Sequence, residues 1–443
     1  MKKSGRILGL SLAVMLAASS LAGCQGKTAD NGTEGGTGTQ GQTQGQAQTE
    51  VQKQADAASG DVIEIEYLNH KSESEAIDAM DELIGKFQEA NPGIKVTQTT
   101  TPDFATVITT RAQTNEMPDV FSCTTNNSYE IMFRDGLIMD LTGQEFLNNV
   151  EAETLSLSEY EGKNWRMPYS LSCYGIYIRT DIFEENGLKI PETYQELMAA
   201  AEALKDKGIT PFVCANKDMG VVGQRMERLM GIIDADCNEE FKKIADGSLA
   251  PDDSNILKTY AAAEREIANY TTEDSLGVDQ TASYQNFVND GGAMLINGTW
   301  TLVTLKDYNP DIKVVMIPFP NPTGGETKVP ISIDTSFCIA ESTPNKEACL
   351  KFLEFLSSSE NAQIYTDYEG SPNVVKGVNY GVAEFQAITD KMDKGEIFVS
   401  LNAVWPSGLR NDMRDYAQSL IMEGDEKAFI EAAGTVIKDV YNK

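Results

Sequence analysis

Asn69 and His70, together with Thr124, Asn126 and Asn127, are the side chains whose types and positions first suggest chemistry. Each group follows an apolar, strand-like run, and in parallel α/β sheets ligands meet the loops beyond the carboxyl ends of strands. An amide both donates and accepts hydrogen bonds, so asparagines there suit a partner rich in polar groups. Asp334 in Ser-Ile-Asp-Thr and Glu369 before Gly370 offer charged acceptors, and Arg410 offers donors. Bond-making chemistry is much less visible. His70 is the only histidine, and the cysteines beyond Cys24 (Cys123, Cys173, Cys214, Cys237, Cys338 and Cys349) form no CxxC pair, which argues against zinc. No Gly-x-Ser-x-Gly or His-Glu-x-x-His signature occurs, and no motif selects two carboxylates facing one bond. The pattern therefore points to binding, with no catalytic residue, metal or cofactor expected.

The elements that position these residues follow from periodicity. Val62 to Leu68 alternates apolar and acidic residues and reads as a strand ending in the Asn69-His70 loop. Ser72-x-x-Glu75 has the form of a capping box, and Ile77, Met80, Leu83, Ile84 and Phe87 recur at helical spacing until Asn91-Pro92-Gly93. A strand over Ile94 to Gln98, a helix over Asp103 to Thr114 and a strand over Asp119 to Cys123 come next. Strand, helix, strand, helix, strand predicts a parallel α/β sheet with crossover helices. Thr193-x-x-Glu196 opens another helix that runs to Gly208, and Ile209 to Ala215, Ala293 to Ile296, Lys313 to Ile317 and Ile331 to Ala340 read as strands. Helices dominate from Asn345, interrupted by two loops, Tyr368 to Tyr380 and Ser400 to Asn411.

Composition sets the surroundings. Lys2, Lys3 and Arg6 precede an apolar run, Ile7 to Leu21, too short and too rich in serine and alanine for a spanning helix, so residues 1–23 read as a cleaved signal peptide. Leu21-Ala22-Gly23-Cys24 resembles the lipobox of bacterial lipoproteins, which implies a diacylglycerol thioether on Cys24 and a membrane anchor. Gln25 to Gly60 is nearly all Gly, Thr, Gln, Ala, Ser and Asp and reads as a disordered tether, so 24–60 forms one unit. A coil of that length spans on the order of 30–36 Å root-mean-square. The remaining residues exceed what one core usually organises, so two lobes are expected. With 36 basic against 67 acidic side chains, nucleic acid is excluded as a partner. Cys123, Cys214 and Cys338 sit in apolar runs and read as buried free thiols.

Six segments, met in order, carry a resemblance. They are Phe87-Gln-Glu-Ala-Asn-Pro-Gly-Ile-Lys-Val96; Met117-Pro-Asp-Val-Phe121; Pro168-Tyr-Ser-Leu-Ser with Ile178-Arg-Thr-Asp-Ile-Phe-Glu-Glu-Asn-Gly-Leu188 and Pro191-Glu-Thr-Tyr-Gln-Glu-Leu197; Phe287-x₃-Gly291-Gly-Ala-Met-Leu-Ile-Asn-Gly-Thr-Trp300; Ile317-Pro-Phe-Pro320; and Asn345-Lys-Glu-Ala-Cys-Leu-Lys-Phe-Leu-Glu-Phe-Leu356. Together they resemble the extracellular solute-binding proteins that deliver sugars to ABC importers. The resemblance implies an α/β, two-lobed periplasmic-binding-protein-like fold, with the ligand in a cleft between lobes joined by hinge strands. Lobe one is assigned to 61–172 plus 318–360, and lobe two to 173–317 plus 361–443.

A sugar offers hydroxyls around its ring and apolar C–H faces, so its site needs short polar side chains and flat aromatics. Trp300 and Trp405 lie where the family places stacking residues, while Trp165 reads as packing. Tyr169 and Tyr174 fall at the presumed lobe crossing, and Asn216 in the zone where the second lobe contributes contacts. The loops after the first and third strands lack the aromatics that such sugar binders often carry there. The implied partners are a carbohydrate and an ABC permease. The protein is then a monomeric, non-enzymatic receptor on the outer face of the cytoplasmic membrane, in a Gram-positive-type cell. Two alternatives are a lipid-anchored glycosidase and the same fold presenting its ligand to a sensor kinase.

Overall fold

The structure, a computed structural model, describes residues 62–101, 103–124, 130–406 and 408–442. Cys24, the leader and the tether lie outside them, as do Asn126 and Asn127. The first strand, β1 (Ile63–Asn69), obeys the period of two: Ile65 and Tyr67 enter one apolar layer and Leu68 the other. β2 (Ile94–Thr100) and β3 (Val120–Cys123) flank it, both parallel, as alternation of strands and helices predicts. After the short hairpin β4 (Glu159–Tyr160) and β5 (Lys163–Asn164) comes β6 (Met167–Arg179), buried at every position. The remaining strands are β7 (Phe212–Val213), β8 (Met294–Gly298), β9 (Val314–Pro318), β10 (Val329–Ile339) and β11 (Ile397–Val399).

One sheet path, β2-β1-β3-β10-β6-β8-β7, holds most of them, with β11 on β10 and β9 on β6. β10 joins antiparallel to β3 and to β6. β6 changes partner halfway: residues up to Cys173 pair with β10, and from Tyr174 onward with β8 and β9. Its side chains change core accordingly. Met167, Tyr169 and Leu171 join the apolar layer under β1, whereas Tyr174, Ile176 and Ile178 join a second, larger core.

Helices cover both faces of each half. The helix Ser74–Ala90 buries Ala76, Ala79, Met80, Leu83, Ile84 and Phe87, the i, i+3, i+4 set of an amphipathic segment. The helices Lys346–Leu356 and Ser359–Glu369 share that layer, so Ala362, Tyr365, Val374 and Val375 pack with the first-strand core and not with the second. The helix Phe104–Thr114 covers the opposite face through Phe104 and Ile108. In the second half, the helices Tyr194–Asp206, Met219–Ile233, Asn255–Asn269, Leu409–Glu423 and Glu426–Tyr441 build one core. Gln280–Val288, Thr301–Tyr308 and Gln386–Asp393 build the other.

Two local expectations divide. Thr193 and Glu196 form the reciprocal capping box their spacing predicts. The Ser72–Glu75 box does not form: Glu73 is the N-cap without a side-chain cap bond, and the Ser72 amide donates to Glu73 Oε2 at 3.0 Å. The chain leaves β1 with Lys71 tied elsewhere, and the helix begins one residue later than a Ser72 cap requires. Ile209 to Ala215 is strand only at Phe212–Val213. The six cysteines from Cys123 to Cys349 are all buried, and Trp165 packs in stacked contact with Phe133 at 6.0 Å.

Gly175 lies just past the partner change, where a Cβ would fall 2.2 Å from the Ile317 carbonyl oxygen of β9. Gly175→Ala is expected to cost about 2 kcal/mol or more through overpacking. A lowered urea-unfolding midpoint checks this, and an unchanged midpoint would show that β6 and β9 do not approach so closely.

Candidate functional site

The carboxyl ends of β1 and β3 open onto a cleft of about 310 Å³. From the first half come His70, Lys71, Ser72, Glu73 and Thr124, and from the crossing strands Ser172, Ser332, Ile333 and Asp334. The second half supplies Gln224, Arg228, Gln280, Trp300, Asn402 and Arg410. This is where a parallel sheet leaves room for a ligand.

Asp334 reaches the cleft because the β10–β6 register shifts on either side of Thr335, an irregularity that re-aims a side chain out of the pleat. Its carboxylate pairs with Lys71 Nζ, which also contacts Glu369 Oε1 at 3.0 Å. Burial works against the Lys71 ammonium, but Asp334 and Glu369 overcome it and push its pKa well up. Burial, with Asp334 close by, raises the Glu369 carboxyl despite the pull of Lys71. Ser172 and Ser332 face each other with hydroxyls 2.9 Å apart.

Asn69 stands behind this group. Its Oδ1 accepts from the Lys71 amide at 3.0 Å and from Ser122 Oγ at 3.1 Å, and its Nδ2 donates to Gln98 at 2.9 Å. His70 Nδ1 lies 2.8 Å from Ser122 Oγ, and its ring meets Phe104 edge-on at 6.0 Å. Burial and then the neighbouring Lys71 charge lower the His70 pKa to about 4, so the ring is neutral at ordinary pH.

On the other side Trp300 lies directly against Gly298, where a Cβ would fall 1.9 Å from the indole. The Arg228 guanidinium sits 5.8 Å from the Trp300 ring and 4.8 Å from that of Tyr174. Arg228 also contacts Glu227 Oε2 at 3.3 Å, while Glu227 Oε1 accepts from Ser400 Oγ at 2.9 Å and from the Asn402 amide at 2.7 Å. Gly223 lets the helix Leu409–Glu423 approach closely, since a Cβ there would meet Arg414 at 3.2 Å and Arg410 Cγ at 3.7 Å.

The structure thus brings His70, Thr124, Trp300, Asp334 and Arg410 into one cleft, with Asn69, Glu369 and Tyr174 immediately behind. It does not bring Tyr169, Asn216 or Trp405 there. Tyr169 points into the first core and donates to the Leu356 carbonyl at 3.1 Å. Asn216 accepts from Arg225 at 2.7 Å and donates to Ser275 at 3.1 Å, inside a buried cluster with Glu264. Trp405 is 2 % exposed and packs on Phe241. Lys71, Gln224 and Arg228 escaped notice in the sequence, though one signal exists. From Val221 to Ile233 the helix is buried except at Gln224, and Gln224 and Arg228 stand one turn apart among Val221, Val222, Met226 and Leu229.

Comparisons with known proteins agree with this geometry. Residues 71–363 match the family described as bacterial extracellular solute-binding protein. The chain is 26% identical over 330 residues, 73% of its length and 78% of the relative's, to the multiple sugar-binding protein of Streptococcus mutans. Its fold is similar to that of the solute-binding protein RafE in complex with raffinose, at TM-score 0.77 and 22% identity, covering 85% of this chain and 99% of that one. It is also similar to a sugar transporter from Bacillus licheniformis in complex with stachyose, at TM-score 0.70 and 19% identity, covering 85% and 100%. These likenesses fix the fold as two-lobed and periplasmic-binding-protein-like, with crossing strands between the lobes.

Lys71→Met leaves two buried carboxylates without their cation, a loss expected to cost about 3–5 kcal/mol near neutral pH. The deficit shrinks in acid as the Glu369 carboxyl, already raised by burial, protonates; urea unfolding at two pH values measures both, and a constant deficit contradicts the ion cluster. For His70, a folded pKa near 4 against an ordinary 6.5 means its contribution is complete above 6.5 and lost as pH falls toward 4. That contribution is up to about 3 kcal/mol. His70→Asn is expected to flatten the stability profile across that window, and profiles of equal slope would refute it.

Proposed function

The chain belongs to the bacterial extracellular solute-binding protein family, and from that premise we propose that it captures a sugar or oligosaccharide in the interlobe cleft and delivers it to an ABC importer. The observation that carries this reading is the cleft itself. Short polar side chains from both halves and from the crossing strands surround one indole, Trp300, with room for a small saccharide. Hydroxyls meet Ser172, Ser332, Gln224, Gln280 and Asn402, and a C–H face meets Trp300.

Lobe one gathers around β1, β2, β3 and the first half of β6, and lobe two around the second half of β6 with β8 and β9. A ligand touching both favours the closed arrangement by its differential affinity. The ligand leaves unaltered: Asp334 is engaged by Lys71, and no sequence motif selects a pair of carboxylates for hydrolysis. Diacylglycerol on Cys24 and the tether 25–60 hold the monomeric body at the outer face of the cytoplasmic membrane, within reach of the permease.

Calorimetry of refolded, sugar-free protein against a broad glycan panel tests the reading, and silence throughout would overturn it. Trp300→Ala is expected to weaken whichever sugar binds by about tenfold, roughly 1.4 kcal/mol. An unchanged affinity would remove Trp300 from the site.

A further inference from the structure

Charge is unevenly matched across the cleft. On the first-lobe side Lys71 is fully answered by Asp334 and Glu369. On the second-lobe side two guanidiniums, Arg228 and Arg410, share one carboxylate, Glu227. That carboxylate is already committed, one oxygen to Ser400 and the Asn402 amide and the other to Arg228. Among the described residues no carboxylate lies in ion-pair contact with Arg410, although it lines the cleft.

Arg410 is also placed against its own helix. It is the second residue of Leu409–Glu423, where the positive end of the helix dipole disfavours a cation. The acid in that first turn, Asp412, is exposed and lines a separate depression with Asn411 and Asp415. Burial, with Arg228 and Arg414 adding to it against the pull of Glu227, lowers the Arg410 pKa. The positive excess is confined to the second-lobe wall, where Arg228 and Arg410 outnumber Glu227; the first-lobe wall, with Asp334, Glu369 and the lining Glu73 around Lys71, is net negative.

We propose that the bound saccharide carries a carboxylate, as a uronic-acid residue does, and that Arg228 and Arg410 receive it. The planar guanidinium fork matches a carboxylate two bonds at a time, a match that neutral hydroxyls supply less well. The ligand then lies with its acid group toward the second lobe and its hydroxyls toward Asp334 and Ser332. This inference rests on the sugar-binding reading above and narrows its substrate class.

Calorimetry on the refolded protein tests it with galacturonate and glucuronate oligosaccharides, each paired with its methyl ester, and with neutral oligosaccharides of the raffinose type. The ester keeps the shape and removes the charge. At least one acid is expected to bind about tenfold or more tighter than its ester, with a preference that shrinks as salt is raised. Arg410→Gln is expected to weaken the acid at least about tenfold more than its ester, so that the preference is lost whatever happens to binding as a whole, and Arg410→Lys to retain part of it. Circular dichroism confirms that both variants fold. Binding of neutral sugars with no gain for any acid form overturns this inference and leaves the sugar-binding reading standing. An acid preference undiminished in Arg410→Gln overturns the assignment of Arg410. Silence toward every saccharide overturns both readings together.

Discussion

A single strand that serves two sheets is the constraint on which the rest of the molecule depends. β6 keeps its main chain hydrogen-bonded along its whole length by exchanging β10 for β8 and β9 at Cys173–Tyr174. Backbone donors and acceptors this deep cannot be left unpaired without a cost comparable to a lost hydrogen bond. The exchange therefore has to occur within one residue, and the cleft opens beside it, at Ser172. Gly175 follows because only a residue without a side chain tolerates the Ile317 carbonyl so near. The apolar alternation on either side of the exchange then assigns each half of the strand to its own core.

The polar interior follows from the same arrangement. Where two sheets diverge, side chains between them face a space that no core fills, and charge can persist there only if paired. Lys71 does this from the first lobe, reaching Asp334 on β10 and Glu369 at the end of the helix Ser359–Glu369. Such a cluster is a weak source of net stability compared with apolar packing. Its effect is positional: it holds the β1 loop, the irregular step of β10 and a distant helix end in one geometry. Asn69, Ser122 and His70 extend that order to the adjacent loop through short hydrogen bonds.

How much of this was legible in the sequence depended on whether the deciding interaction was local. The Thr193–Glu196 cap needs only residues three apart and forms as expected. Strand ends are local too, so His70 and Thr124 fall at the cleft where the topology places them. Trp405 is different. Ala-Val-Trp-Pro-Ser-Gly reads equally well as a ligand platform or as a buried plug, and Phe241, far away in the chain, decides for the plug. Arg225 and Arg228 make the point within one helix. Three residues apart, the first is enclosed by Glu264 and Asn216 while the second reaches the cleft. The resemblance carried by the Phe287 to Trp300 segment located Trp300, but no spacing rule could have joined it to Arg228, since their meeting is a tertiary event.

Trp300 rests on Gly298 and stands beside Tyr174 and Arg228, so its ring is already confined before any guest arrives. Immobilising a large side chain ordinarily costs about 0.5–1.5 kcal/mol on association, and here that cost is met during folding. The confinement also binds two positions to a shared history. No side chain can arise at residue 298 while the indole occupies its place, and any descendant that discards the indole releases residue 298 to vary.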